Sequence, residues 1–125
     1  MDIEPQLWLP NIVEVPEALR VGVGGGPYWK ECFSRAWVYF LGHTIGKPTA
    51  SMCLVHGIWR GNWKHAWVEI EEHIVFDGVM QQFYERESYY VENWAWPIVE
   101  FDTERPFGNG VYAANRRSMS RMLAR

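Results

Sequence analysis

The clearest alternation of apolar and polar positions is His65-Ala66-Trp67-Val68-Glu69-Ile70, with Ala66, Val68 and Ile70 on one side and His65, Trp67 and Glu69 on the other. Period two is the signature of a half-buried strand. A second run, Ile74-Val75-Phe76-Asp77, is β-branched and aromatic and stops at the turn pair Asp77-Gly78. Together they predict an antiparallel hairpin around Glu71, Glu72 and His73. A three-residue loop sets Ile70 opposite Ile74, Val68 opposite Phe76 and Trp67 opposite Asp77, with the strongly apolar pairs on one face. A two-residue loop would turn every side chain over and put Asp77 on the core face. Burying an unpaired carboxylate costs roughly several kcal/mol, so the three-residue loop is favoured. Asp77 then becomes the diagonal neighbour of His65 on the same face, with Cβ atoms about 7 Å apart.

Helical spacing precedes this hairpin. From Tyr28 to Leu41, Phe33, Trp37, Phe40 and Leu41 recur at i, i+4, i+7 and i+8, a core stripe with Ala36 beside it. Pro27 opens this helix, Gly42 ends it, and Cys32 lies near its start. Ser51 to Trp59 reads as a strand and Arg60 to Lys64 as a loop. Beyond the hairpin, Val79 to Glu87 has the spacing of a short amphipathic helix, and Pro97 to Phe101 that of a further strand. Asn109-Gly110 is a turn, and Val111 to Leu123 a basic closing helix. Residues 1–27, broken by Pro5, Pro10, Pro16 and a glycine cluster, read as extended arms with a short helix at Pro16 to Arg20. The cluster at Gly22 to Gly26 lacks the third glycine and the strand-turn-helix setting of a dinucleotide fingerprint, and reads as a flexible loop approaching the site. Gly42 to Lys47 is too short for a phosphate loop.

Composition narrows the class. At 125 residues, with 48% apolar and 22% charged residues, the chain reads as one globular domain, residues 1–125, with a substantial core. A net charge of -3 disfavours a nucleic-acid partner, which would need a basic face. No apolar run approaches the roughly 20 residues of a membrane span. The acidic start Met-Asp-Ile-Glu does not resemble a signal peptide, so a cytoplasmic setting is expected. Eight Trp, six Tyr and six Phe suggest a compact core with an aromatic groove.

Candidate chemistry centres on Cys32, His65 and Asp77. A thiol at a helix N-terminus feels the partial positive charge of unpaired amides, which favours thiolate. A neighbouring imidazole would stabilise that thiolate and protonate a leaving amine, and a carboxylate would fix its tautomer. The Cys32 amide would be one donor to an oxyanion, with Trp29, Trp63 or Gln6 as candidates for the second. Trp29, Trp63 and Trp67 are the candidate substrate-binding residues; Trp67 and Trp59 could wall either a groove or the core. Taken singly, Cys32 is a buried thiol, His65 a structural histidine and Asp77 a turn former. Their order and shared placement favour the joint reading. Cys53 reads as core, and Glu69 as a solvated rim carboxylate. No metal is expected: Cys53 and His56 face opposite ways on a strand, and His65 and Glu69 lie about 13 Å apart. No cofactor is implied.

The run Gly-Pro-Tyr-Trp-Lys-Glu-Cys-Phe-Ser-Arg-Ala about Cys32, followed by His65-Ala66-Trp67-Val68-Glu69 and Phe76-Asp77, resembles the transglutaminase-like branch of the papain-like cysteine protease fold. The resemblance spans residues 28–78. It implies an α+β papain-like core, with the Cys-bearing helix packed on an antiparallel sheet. By the same resemblance Cys32 is the nucleophile, His65 the base and Asp77 the orienting acid. The activity implied is a thiol-dependent amide or ester hydrolase or acyl transferase, such as a peptidase, deamidase or transglutaminase-like enzyme, with a peptide or protein substrate. Gly78 stands where the family usually has proline or threonine, and the calcium apparatus of full-size transglutaminases has no counterpart. A non-catalytic protein-binding module on the same fold is the alternative. An NlpC/P60-type cell-wall peptide hydrolase, which would need export, is a second.

Overall fold

The computed structural model describes residues 11–46 and 48–102. A 3-10 turn at Glu17–Arg20 stands where the short N-terminal helix is expected. It is followed by α1 (Cys32–Thr44), β1 (Met52–Trp59), β2 (Trp63–Ile70), β3 (Ile74–Asp77), β4 (Gln82–Glu85), α2 (Arg86–Glu92) and β5 (Trp96–Asp102). The result is an α+β fold: a five-stranded antiparallel sheet in the order β4-β3-β2-β1-β5, with α1 packed on one face. The expected turn at Asn109-Gly110, the closing helix and Gln6 lie outside the described residues.

The hairpin has the register that the carboxylate penalty favours, Ile70 opposite Ile74 and Val68 opposite Phe76. Its loop takes Glu71 and Glu72 through left-handed backbone (φ 53° and 61°). The strand is not half-buried, however. Every residue of β2 from His65 to Ile70 is buried, because both faces are covered. Ala36, Tyr39 and Phe40 of α1 pack on Ala66, Val68 and Ile70. On the reverse face Trp67 packs with Tyr89 and Tyr90 of α2.

Two expected elements shift. The first helix starts at Cys32, since Tyr28 is tied by its amide to the Val79 carbonyl (2.7 Å) and Lys30 is left-handed (φ 68°). It runs through Gly42, and the left-handed glycine beyond its end is Gly46 (φ 80°). Its buried face is Ala36, Tyr39, Phe40 and His43, whereas Phe33 and Trp37 of the expected stripe are 41% and 43% exposed. Polar tips decide this rotation. Tyr39 donates to the Leu19 carbonyl (2.8 Å), and the His43 ring meets Thr49 and the Val21 carbonyl. The expected helix at Val79–Glu87 is instead a turn, the strand β4 and the start of α2. Asp77 Oδ1 accepts the amides of Val79 and Met80, and Gln81 is left-handed (φ 56°), so the chain folds back beside β3. Finally, Tyr84, Tyr89 and Tyr90 are buried, while Trp94 is exposed.

The N-terminal arm serves the sheet. The Val13 amide donates to the Phe83 carbonyl and Ile12 bridges Tyr84, covering the outer edge of β4. The glycine-rich segment after it is anchored: the Gly24 amide donates to Gln81 Oε1, and the Tyr28 hydroxyl to the Gly24 carbonyl. Among the described residues no helix is long and apolar enough to cross a membrane.

Candidate functional site

Cys32 is the first residue of α1, and its cap, Glu31, makes no side-chain bond to the helix end. The thiol thus sits among unpaired first-turn amides. Its hydrogen-bond partner is the imidazole of His65, near the start of β2. The other side of that ring is held by Asp77, the last residue of β3, with His65 Nε2 2.9 Å from Asp77 Oδ2. An ionised carboxylate only accepts, so Nε2 carries the proton and Nδ1 is left for sulfur. The structure therefore brings all three residues of the expected constellation together.

Asp77 is itself fully engaged. Its Oδ2 also accepts the Tyr89 hydroxyl at 2.6 Å, and its Oδ1 accepts the Val79 amide at 2.9 Å and the Met80 amide at 3.3 Å. Burial pushes this carboxyl up, but the hydrogen bonds and charge of His65, with those of Tyr89 and Met80, outweigh it and hold Asp77 below the usual carboxylate range. Burial likewise works against the imidazolium, yet Asp77 and Cys32 push His65 up to about 9. At Cys32, partial burial raises the thiol. The hydrogen bond and charge of His65, with the amides of Ala66 and Phe33, bring it below its ordinary value. These three shifts share one direction: a thiolate, an imidazolium and a carboxylate in a row.

One glycine sets the spacing. A Cβ on Gly78 would lie 2.6 Å from Arg35 Cβ and 3.0 and 3.1 Å from the α1 backbone at Arg35 and Ala36. Only glycine lets the end of β3 come this close to the helix that carries Cys32. Glycine at position 78 is thus a packing requirement of this chain.

Cys32, His65 and Asp77 open onto a cavity of about 400 Å³. Trp29 and Trp63 stand at it, each 66% exposed, with Trp59 behind, its ring 5.0 Å from that of His65. Trp67 is not among the lining residues; it is fully buried in the second core. Glu69 is no rim carboxylate. It is buried, paired with Arg86 Nε at 2.9 Å, and accepts the Tyr90 hydroxyl. The residues that sequence reasoning missed are Tyr89, Tyr90 and Arg86, and Trp59 as a certain wall. The spacing of Arg86, Tyr89 and Tyr90 at i, i+3 and i+4 was the available signal. Cys53 is half-buried against the second core. Among the described residues no group of three or more His, Cys, Asp or Glu is placed to hold a metal ion. Set against protein-family models, curated proteins and solved structures, the chain matches none.

Proposed function

We propose that this protein is a thiol-dependent acyl-transfer enzyme, an amide or ester hydrolase or transferase, acting through Cys32, His65 and Asp77 on a papain-like, transglutaminase-like core. The observation that carries the reading is the unbroken chain from a helix-end thiol through one imidazole to a fully bonded carboxylate. In the proposed reaction the thiolate attacks the carbonyl carbon, forming a C–S bond while the carbonyl electron pair moves to oxygen. The first-turn amides of α1 offer donors to that oxygen. Collapse breaks the bond to the leaving amine or alcohol, which departs with the proton of His65 Nδ1. Water or an amine then gives its proton to His65 and its electron pair to the thioester carbon, and sulfur leaves as thiolate. Asp77 keeps the ring oriented throughout.

The test is covalent labelling. A thiol-directed acyl electrophile is expected to label the parent at Cys32, and Cys32→Ala to abolish the label. His65→Ala should reduce it to the rate of an unassisted thiol. Alkylation of Cys32 should already be fast at about pH 6, where an ordinary thiol with a midpoint near about 8.5 is mostly inert. Equal labelling of Cys32→Ala would sink the assignment of the nucleophile. An ordinary midpoint would instead favour the binding module.

A further inference from the structure

The cavity wall carries a charge pattern that the acyl-transfer chemistry does not use. Lys30 enters it from the segment before α1, and Arg60 and Lys64 from the β1–β2 hairpin. The one acid lining it is Asp77, which is buried and already holds His65 and Tyr89. Among the described residues, Lys30, Arg60 and Lys64 make no ion pair. A chain with a formal net charge of -3 thus gathers three cations at the mouth of one cavity. The Arg60 guanidinium lies 4.6 Å from the centroid of the Trp59 ring, and Trp29 and Trp63 line the same cavity.

Arg60 is also held in place. Its amide donates to the Asn93 carbonyl and its Nη2 to Asn93 Oδ1 at 3.2 Å, with Trp59 beneath. A guanidinium fixed by one nitrogen and one ring face keeps its other N–H groups for a planar acceptor, and a carboxylate matches that fork. The tryptophans beside it offer apolar contact for a neighbouring side chain.

We propose, taking Cys32 as the acyl-accepting nucleophile, that the acyl donor is an acidic peptide. It carries a carboxylate within a residue or two of the scissile carbonyl and an apolar side chain beside it. Arg60, Lys64 and Lys30 select the carboxylate, and Trp29 and Trp63 flank the apolar group. The carboxylate can belong to a Glu or Asp side chain or to a free peptide C-terminus.

Two measurements on the full chain test this separately from the acyl-transfer chemistry. The first compares alkylation of Cys32 by iodoacetate, which bears a carboxylate, with that by neutral iodoacetamide. At low ionic strength the iodoacetate-to-iodoacetamide rate ratio is expected to be about tenfold higher in the parent than in Arg60→Gln/Lys64→Gln, and to shrink with added salt. The second measures kcat/KM on matched fluorogenic peptides bearing Leu-Glu or Leu-Gln, each with a free or an amidated C-terminus. A preference for Glu in the amidated pair assigns the carboxylate to a side chain; a preference for the free terminus in the Gln pair assigns it to the C-terminus. Either preference, lost in the double variant, supports the proposal. An equal alkylation ratio in parent and double variant overturns it, as does turnover with no preference for either carboxylate. An anionic preference in alkylation without turnover of any of these peptides would leave carboxylate recognition standing and overturn the acidic peptide as acyl donor.

Discussion

At the residue scale the centre of the site is Asp77, which accepts from His65, Tyr89, Val79 and Met80. With every bond directed at its charged form, it stays ionised, and that charge raises His65 to about 9. The raised imidazole in turn helps hold Cys32 below its ordinary value. The proposed acyl transfer would therefore need a pH above the lowered thiol pKa and below about 9. On the acid side sulfur regains its proton. On the basic side His65 loses the proton that the leaving group takes. Asp77→Asn removes the charge that raises His65, so the basic limb should move to lower pH. Less imidazolium also means a less stabilised thiolate, so the acid limb should move up. A pH profile of kcat/KM is expected to narrow from both sides, with the maximum reduced on the order of 10²–10⁴-fold. A profile merely scaled down, with both limbs in place, would mean that Asp77 does not set the charge of His65.

At the element scale the hairpin of β2 and β3 was legible and α2 was not, for a physical reason. The β2–β3 register follows from local alternation plus the cost of burying Asp77, both visible within thirteen consecutive residues (His65 to Asp77). What covers the second face of the sheet is a tertiary matter. Glu69 reads as exposed because nothing near it in sequence is its partner; Arg86 and Tyr90 come from a helix two turns further on. Similarly, Phe33 and Trp37 satisfy the helical stripe, but Tyr39 and His43 win the core because their polar tips find backbone and side-chain partners. The Glu69–Arg86 pair, with side chains 3% and 4% exposed, joins β2 to α2. Breaking it on one side leaves a buried charge unpaired, so Arg86→Met should destabilise the fold by about 3–5 kcal/mol in urea denaturation. Pairing that change with Glu69→Leu should recover much of the loss. Full stability in Arg86→Met alone would mean that α2 is held by its aromatic residues and not by this pair.

At the scale of the whole molecule, the sheet separates two cores, and the site lies where they meet. Cys32 belongs to the helix over one face, while His65 and Asp77 point with Trp67 and Val75 toward the other. The order of these residues along the chain was readable; the layering was not, because it depends on two helices choosing opposite sides. Gly78 is the contact that joins the layers at this point. Gly78→Ala should push the start of α1 away from β3 and slow alkylation of Cys32 at about pH 6 by roughly tenfold or more, while circular dichroism stays that of the parent. Unchanged alkylation would show that the helix yields without moving its thiol. The gap at Gly78 therefore works as a mechanical gauge. A methyl-sized wedge, or any partner that strains the two layers apart, would be read out chemically at one sulfur atom.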